Sequence, residues 1–322
     1  MENDKNKVLS TEELLEEGKR ERLLRELAES GRPLTIHLTN DFAFKKAFHN
    51  KKALTGLLSA LLDIPAKEIK KLEFPDTFLH GDYADDREGI LDVRVHLNDR
   101  RRINIEIQVR PYPFWEERSL FYLSKMYTDG FSKGRSYEEL EECIHISILG
   151  FDLLHADHFY STIRLMDEKT HTVYSDKLGL RMLYLNQLEC ASKEESEQEV
   201  YKWAKLISAK DWKVLIEMAE NNEYMKATVE EMEKINSDES LRYLYLKKEM
   251  ALSDETTIRN YYMGKGREEG IAEGIAEGIE EGQRLMLRLL KSMMKDGMGQ
   301  AEFDRLETET AFRNEMLEKY KE

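Results

Sequence analysis

The residues best suited to chemistry fall in two neighbouring segments. Asp92 lies in ILDVRVHL, residues 90–97, and Glu106 and Gln108 lie in RINIEIQV, residues 102–109. Both segments alternate strictly. A period of two puts Ile103, Ile105, Ile107 and Val109 on one face of a strand and Asn104, Glu106 and Gln108 on the other. In the same way Leu91, Val93, Val95 and Leu97 oppose Asp92, Arg94 and His96. Two carboxylates on adjacent strands are donors for a hard cation. Mg²⁺ takes about six oxygen ligands, keeps several waters, and is commonly held by one or two carboxylates plus substrate phosphate. Such an ion polarises a phosphoryl oxygen and activates a water for in-line attack. The chemistry open to this pair is metal-assisted attack of water on a phosphoryl group. Gln108, two residues beyond the second carboxylate and on its face, can orient the water or the scissile oxygen.

The connection between the strands sets their register. Matching the apolar faces of an antiparallel pair requires a loop with an odd number of residues. A loop of Asp99–Arg101 pairs Asn98 with Arg102 and sets Asp92 opposite Gln108 and Arg94 opposite Glu106. Asp92 and Glu106 are then diagonal neighbours, roughly 7–8 Å apart at Cα.

The flanking elements follow from periodicity and caps. Residues 10–30 read as a solvated amphipathic arm, with Ser10 and Glu13 in the form of a capping box. Thr39 or Asn40 caps a helix expected to run unbroken through DFAFKKAFHNKKALTGLLSALLD, with Phe44, Phe48, Leu57, Leu58, Leu61 and Leu62 as its apolar stripe and Pro65 beyond its end. IKKLEFPDTFLHGD, residues 69–82, reads as an irregular first strand, ahead of the two clean ones. ERSLFYLSKMYTDGF reads as a second helix ended by Gly130 and Gly134, and HISILGF as a buried strand. STIRLMDE and LRMLYLNQ offer two more strands, and everything after Ser192 is helical and charged. The expected fold class is α/β, with a helix–three strands–helix–strand core around a mixed sheet and a helical C-terminal region. The expected divisions are an arm at 1–30, the α/β domain at 31–190, a helical region at 191–262, and a glycine-repeat segment with a final helix at 263–322.

Five stretches of this pattern resemble a known family. They are NDFAFK at 40–45, GILDVR at 89–94, NIEIQ at 104–108, ERSLFY at 117–122 and GRSY at 134–137. Together they are similar to the PD-(D/E)XK nucleases, and more narrowly to the Rpn-like recombination-promoting nucleases, also called PD-(D/E)XK family transposases. The likeness is strong over about residues 38–155 and loose elsewhere. It implies an αβββαβ core and a Mg²⁺- or Mn²⁺-dependent DNA endonuclease. By this resemblance Asp92, Glu106 and the backbone carbonyl of Ile107 hold the metal. Gln108 stands where the superfamily usually has lysine, and as a neutral amide it cannot supply positive charge to a transition state. Asp41 matches an acidic position of the family, and as the residue after Asn40 it also suits a helix N-terminus. Arg118 and Tyr122, one turn apart on the second helix, can contact phosphate or brace the site.

Composition narrows the setting. The 322 residues are 41% apolar and 35% charged, with a formal charge of −15. Residues 31–150 carry 18 Lys and Arg against 19 Asp and Glu, so nearly all the excess acid lies outside the α/β region. DNA as a partner is neither supported nor excluded by charge. No run approaches the roughly 18–20 apolar residues of a membrane span, and the N-terminal MENDKNKVLS lacks a signal-peptide core. Cys143 and Cys190 are too few for a disulfide framework. A cytoplasmic protein is expected.

Other features carry less. His155 and His158 have H-x-x-H spacing without an accompanying carboxylate motif. PYPFW at 111–115 reads as an aromatic connector that caps and packs the following helix, base stacking being the other use of such rings. Arg100, Arg101 and Arg102 form a basic hairpin tip, either solvated or set against DNA. Gly266, Gly270, Gly274, Gly278 and Gly282 recur every four residues beside Ile271, Ile275 and Ile279. That tail reads as an acidic linker or as a helix that lets a second backbone approach, giving a homodimer. The competing function is a catalytically inactive nuclease-fold protein that binds DNA or self-associates.

Overall fold

The computed structural model describes residues 11–75, 78–79, 89–90, 92–98, 101–129, 131, 133–154 and 157–320. They form two compact units, Met1–Met250 and Ala251–Glu322. Among the described residues, no helix is long and apolar enough to cross a membrane.

The first unit is built on a mixed six-stranded sheet. Its strands are β1 (Leu72–Glu73), β4 (Val93–Leu97), β5 (Arg101–Gln108), β6 (Glu142–Leu149), β8 (Val173–Tyr184) and β7 (Tyr160–Met166), in that spatial order. A separate two-residue pair joins β2 (Phe78–Leu79) to β3 (Gly89–Ile90). The irregular first strand expected at 69–82 therefore supplies only β1 and β2 among the described residues. β4 and β5 are antiparallel, whereas β5–β6 and β6–β8 are parallel. A parallel step needs a crossover. Helix α4 (Trp115–Thr128) supplies the one between β5 and β6. The two further strands expected after residue 156 join the sheet as β7 and β8.

The alternation in β4 and β5 works as the sequence implies. Val93, Val95, Leu97, Ile103, Ile105 and Ile107 enter one core with Ile144, Ile146 and Ile148 of β6. Helices α2 (Asp41–Phe48), α3 (Lys51–Leu62), α6 (Glu199–Ser208), α7 (Trp212–Ala219) and α8 (Glu223–Ser237) cover that face. The short α5 (Lys193–Ser196) precedes them in the chain after β8. The opposite face is also covered, since Trp115, Leu123 and Met126 of α4 pack on Cys143, Leu149, Met182 and Tyr184. Asn104, Glu106 and Arg94 are therefore buried beneath a helix, on a face that is polar without being wet.

Three local expectations change. The first helix is two helices. Asn40 caps α2 as expected, but the Asn50 side chain accepts from Lys52 N at 2.9 Å and Ala53 N at 3.2 Å, starting α3 afresh. An asparagine that can bond the backbone of a new turn ends one helix and begins another. The β4–β5 register is shifted by two: Leu97 pairs with Arg101 and Arg94 with Asn104, instead of Asn98 with Arg102 and Arg94 with Glu106. The cause is Asn98, which adopts φ 53° and becomes part of the turn. Its side-chain oxygen accepts from Lys70 N and Lys71 N, at 2.9 and 3.1 Å. Asparagine tolerates the left-handed region better than other residues with a Cβ, so the loop begins one residue early. A shift of two preserves every face. The rest of that loop, Asp99 and Arg100, lies outside the described residues, as do Leu91, Ser10, Gly130 and His155.

The third change concerns the arm. Helix α1 (Thr11–Glu29) buries Leu24 and Ala28. Arg242, near the start of α9 (Glu239–Lys295), donates to the carbonyls of Leu27, Ala28 and Arg32 at 3.1, 2.7 and 2.8 Å. A buried guanidinium thus satisfies the open carbonyls of a helix C-terminus, and the arm is docked.

In the second unit the glycine repeat is helical, as part of α9. A small core of Leu289, Met293, Leu306 and Met316 joins the end of α9 to α10 (Gln300–Thr308) and α11 (Thr310–Lys319).

Gly56 of α3 is packed closely against α6 and α8. A Cβ there would lie 2.2 Å from Tyr224 Cβ and 2.6 Å from Trp203 Cζ2. Overpacked cores lose about 1–3 kcal/mol, so Gly56→Ala should lower the unfolding free energy by that much in a urea titration, with an earlier midpoint. An unchanged midpoint would show that α3 and α8 are not held this closely.

Candidate active site

The site is set by where β4 begins and β5 ends. In the observed register Val93 lies opposite Ile105. Continued by one residue, that register sets Asp92 beside the end of β5, near enough to Glu106 for the two charges to repel. Asp92 Oδ2 accepts from Ile107 N at 3.2 Å, tying it to the end of β5. Its Oδ1 lies 2.9 Å from Lys45 Nζ, on α2.

Glu106 is 3% exposed. Arg118 of α4 donates twice to its Oε1, from Nε at 3.1 Å and Nη2 at 2.6 Å. Its Oε2 is buried with no donor among the described residues. The nearest ring nitrogen, His145 Nε2, stands 3.9 Å away, beyond hydrogen-bonding distance. Burial pushes Glu106 up to about 7 despite the opposing pull of Arg118, with Asp92 adding like-charge repulsion. Lys45 shows the converse balance. Burial disfavours its charge, but Asp92, Asp41 and Glu106 outweigh that and hold it above the usual lysine value.

His145, opposite Asn104 on parallel β6, is fully buried and driven down to about 3 by burial and by Arg118, so it is neutral. Asn104 Nδ2 lies 3.0 Å from its Nδ1. If that nitrogen accepts, the ring proton is on Nε2, facing the open oxygen of Glu106.

Asp41 sits one turn before Lys45. Its Oδ2 pairs with Lys248 at 2.9 Å, and its Oδ1 is buried without a donor among the described residues. Gln108 shares the face of Glu106. Its Nε2 donates to Arg110 O at 3.0 Å, which turns the amide toward the end of its own strand. Tyr122 is nearly buried, its ring against Arg118 at 4.9 Å and stacked near His145 at 6.5 Å. That position braces the arginine and leaves little of the tyrosine for a ligand.

The donor set suits a hard divalent cation. Glu106 Oε2 is an acceptor without a donor among the described residues, and the Asp92 carboxylate is near it. Among the described residues there is no group of three or more His, Cys, Asp or Glu placed to hold a metal. Asp92 and Glu106 are the residues that could hold such an ion, with water and phosphate able to fill the other positions, as is usual for Mg²⁺.

Two residues of the site have no role in the sequence reading. Lys45 stands inside NDFAFK at four residues from Asp41, a spacing that puts the two on one helical face. His145 could be found only from the parallel register, which no turn specifies. The basic hairpin tip does not stand free: Arg101 Nε pairs with Glu142 Oε2 at 2.5 Å and Arg102 Nε with Glu141 Oε2 at 2.6 Å. His158 bonds Ser161 Oγ at 2.6 Å and takes no part in the site.

The model of the PD-(D/E)XK nuclease family transposases matches residues 38–261. No curated protein and no solved structure matches the chain. The matched span holds the whole sheet and every residue of the site, and the chain belongs to the PD-(D/E)XK nuclease family transposases.

Proposed function

We propose that this chain is a Mg²⁺- or Mn²⁺-dependent endodeoxyribonuclease that hydrolyses DNA phosphodiester bonds in transposition or recombination. The observation that carries the reading is the buried Oε2 of Glu106, without a donor among the described residues, next to Ile107, whose N–H holds Asp92. Asp92, Glu106 and the Ile107 carbonyl are the metal ligands in this reading. The cation, when bound, supplies Lewis-acid polarisation of the scissile phosphate and a nucleophile at neutral pH.

The chain's own residues do the rest. Arg118 fixes the rotamer of Glu106 through two bonds to one oxygen, leaving the other free. Gln108, anchored through Nε2, can turn its amide oxygen toward an attacking water and set its direction. It carries no charge, and Lys45 supplies what it lacks. The Lys45 ammonium, already at Asp92, is within a side-chain swing of a non-bridging phosphate oxygen and can neutralise charge developing there. Asp41 steers Lys45 from the preceding turn.

A second reading is a catalytically inactive nuclease fold that binds DNA or self-associates. The Lys45–Asp92 ion pair favours it, because a carboxylate already neutralised needs no added cation. Mutation separates the two. Asp92→Asn and Glu106→Gln should each abolish plasmid cleavage with Mg²⁺ or Mn²⁺, and Lys45→Met should slow single-turnover cleavage about 10²-fold, as loss of one electrostatic donor does. Wild-type rates in both carboxylate variants would exclude the assignment. An unaffected Lys45→Met would return the lysine to a structural role.

Apolar side chains left exposed beside a glycine stripe suit a second helix, and we propose that the chain is a homodimer joined through α9. Ile271, Ile275 and Ile279 are 54, 59 and 58% exposed, and nothing lies within 4 Å of a Cβ built at Gly266, Gly270, Gly274, Gly278 or Gly282. Five glycines cost an isolated helix on the order of 4–5 kcal/mol relative to alanine, which a close-packed partner offsets. The chain truncated after Tyr262 should sediment as a monomer where the full chain is dimeric. An unchanged dissociation constant would make the glycine segment irrelevant to assembly.

A further inference from the structure

The connector between β5 and α4 was expected to fold its rings inward. Only Trp115 does so, fully buried and donating from Nε1 to Ser147 Oγ at 3.2 Å. Phe114, immediately before it, is 74% exposed and adopts φ 62°, ψ 38°. A phenylalanine in the left-handed region is strained, and here no burial compensates for it. Tyr112 and Phe121 are also exposed for rings of their size, at 38 and 36%.

These rings surround a groove of about 380 Å³, whose lining includes Glu117, Arg118 and Tyr122. That volume falls in the range of small-ligand sites, roughly 300–1,000 Å³. The Arg118 guanidinium forms its floor, 5.2 Å from the Tyr112 ring, 5.7 Å from Trp115 and 4.9 Å from Tyr122. The same guanidinium holds Glu106, so the groove begins one side chain from the proposed reaction centre.

The chemistry of the lining selects the occupant. Glu106 takes the Nε and one Nη2 donor of Arg118, and Glu117 adds a carboxylate to the lining, which disfavours a phosphate there. Flat aromatic faces over a polar floor suit a nucleobase, and a rim carboxylate can accept from an exocyclic amino group. A paired base cannot enter, because its edge and faces are occupied in the duplex.

We propose that this groove receives an unpaired nucleobase next to the phosphate under attack, so that the substrate is single-stranded or locally melted DNA. The inference rests on the nuclease reading for the position of the phosphate, and its test does not require cleavage. The strain at Phe114 is then retained for function. Tyr112 and Phe114 present the stacking faces, and Arg118 couples occupancy of the groove to the rotamer of Glu106.

Phe114→Gly tests this cleanly. Glycine adopts the left-handed conformation freely, so the variant should keep or raise the melting temperature while losing the ring. Fluorescence anisotropy with a labelled single-stranded oligonucleotide, the matching blunt duplex, and the single strand carrying abasic sites would be measured in Ca²⁺, which suppresses turnover. Wild type should favour the intact single strand over both other probes. Phe114→Gly should bind that strand about 10-fold more weakly, in line with loss of one base-stacking ring, and should bind duplex as wild type does. Tyr112→Ala should act the same way. Equal affinity of wild type and Phe114→Gly for the single strand, equal losses on both probes, no single-strand binding by wild type, or a changed oligomeric state in Phe114→Gly would each overturn the proposal. Plasmid cleavage with Mn²⁺, run in parallel, tests the nuclease reading separately. Ring-dependent binding without cleavage leaves the groove standing and the nuclease reading refuted, and the converse result does the opposite.

Discussion

Glu106 is a carboxylate held under a helix with one oxygen bonded twice by Arg118 and the other bonded by none of the described residues. Desolvating a carboxylate is costly unless each lone pair finds a partner. The fold meets half of that requirement and leaves half open. The arrangement depends on α4 lying across the polar face of β5, since that helix brings Arg118 to one side of Glu106 and excludes water from the rest. The apolar face of the same strand is fixed by Ile103, Ile105 and Ile107 in the main core. Neither face can slip by one residue without burying the charges among the isoleucines. The site is thus a by-product of strict alternation in a strand covered on both sides.

Around that centre the charges are arranged in alternation. Asp92 lies near Glu106, Lys45 faces Asp92, Asp41 lies one turn behind Lys45, and Lys248 neutralises Asp41. Each carboxylate except Glu106 has a lysine as well as a backbone or helix-end partner nearby. Glu106 has an arginine on one oxygen and a neutral histidine at 3.9 Å from the other. Among the described residues none donates to that oxygen, and Lys45 acts on Glu106 through its charge alone.

Much of this was legible in the sequence, for physical reasons that differ by element. The facing of Asp92, Glu106 and Gln108 followed from a period of two, which any shift of even length preserves. The register itself was off by two because Asn98 joined the turn, a matter of one side chain's bonds to Lys70 and Lys71 that alternation does not encode. The break between α2 and α3 was hidden because Asn50 reads equally as a helix interior residue and as a cap. Lys45 was visible within its motif, yet only the docking of α2 brings it to Asp92. His145 comes from a parallel neighbour, and parallel pairing across a helical crossover leaves no local signature. That α4 covers the polar face is not legible in the sequence, because alternation reports which residues differ, not what covers them. The run at 111–115 reads as packing on α4, with base stacking as its other use, and only the structure shows Phe114 exposed on a left-handed backbone.

The central claim is that Glu106 and Asp92 share one divalent cation, and calorimetric titration of the full-length protein with Mn²⁺ tests it most directly. In the cation-free protein Glu106 is raised to about 7, chiefly by burial. The cation requires the ionised carboxylate, so below that pH binding must expel a proton, and above it none. The account predicts a single site whose affinity rises with pH up to about 7 and then levels, with proton release at about pH 6 and none at about pH 8. It further predicts that Asp92→Asn removes the site. Binding that is absent, indifferent to Asp92→Asn, or unaccompanied by proton release at about pH 6 would contradict it.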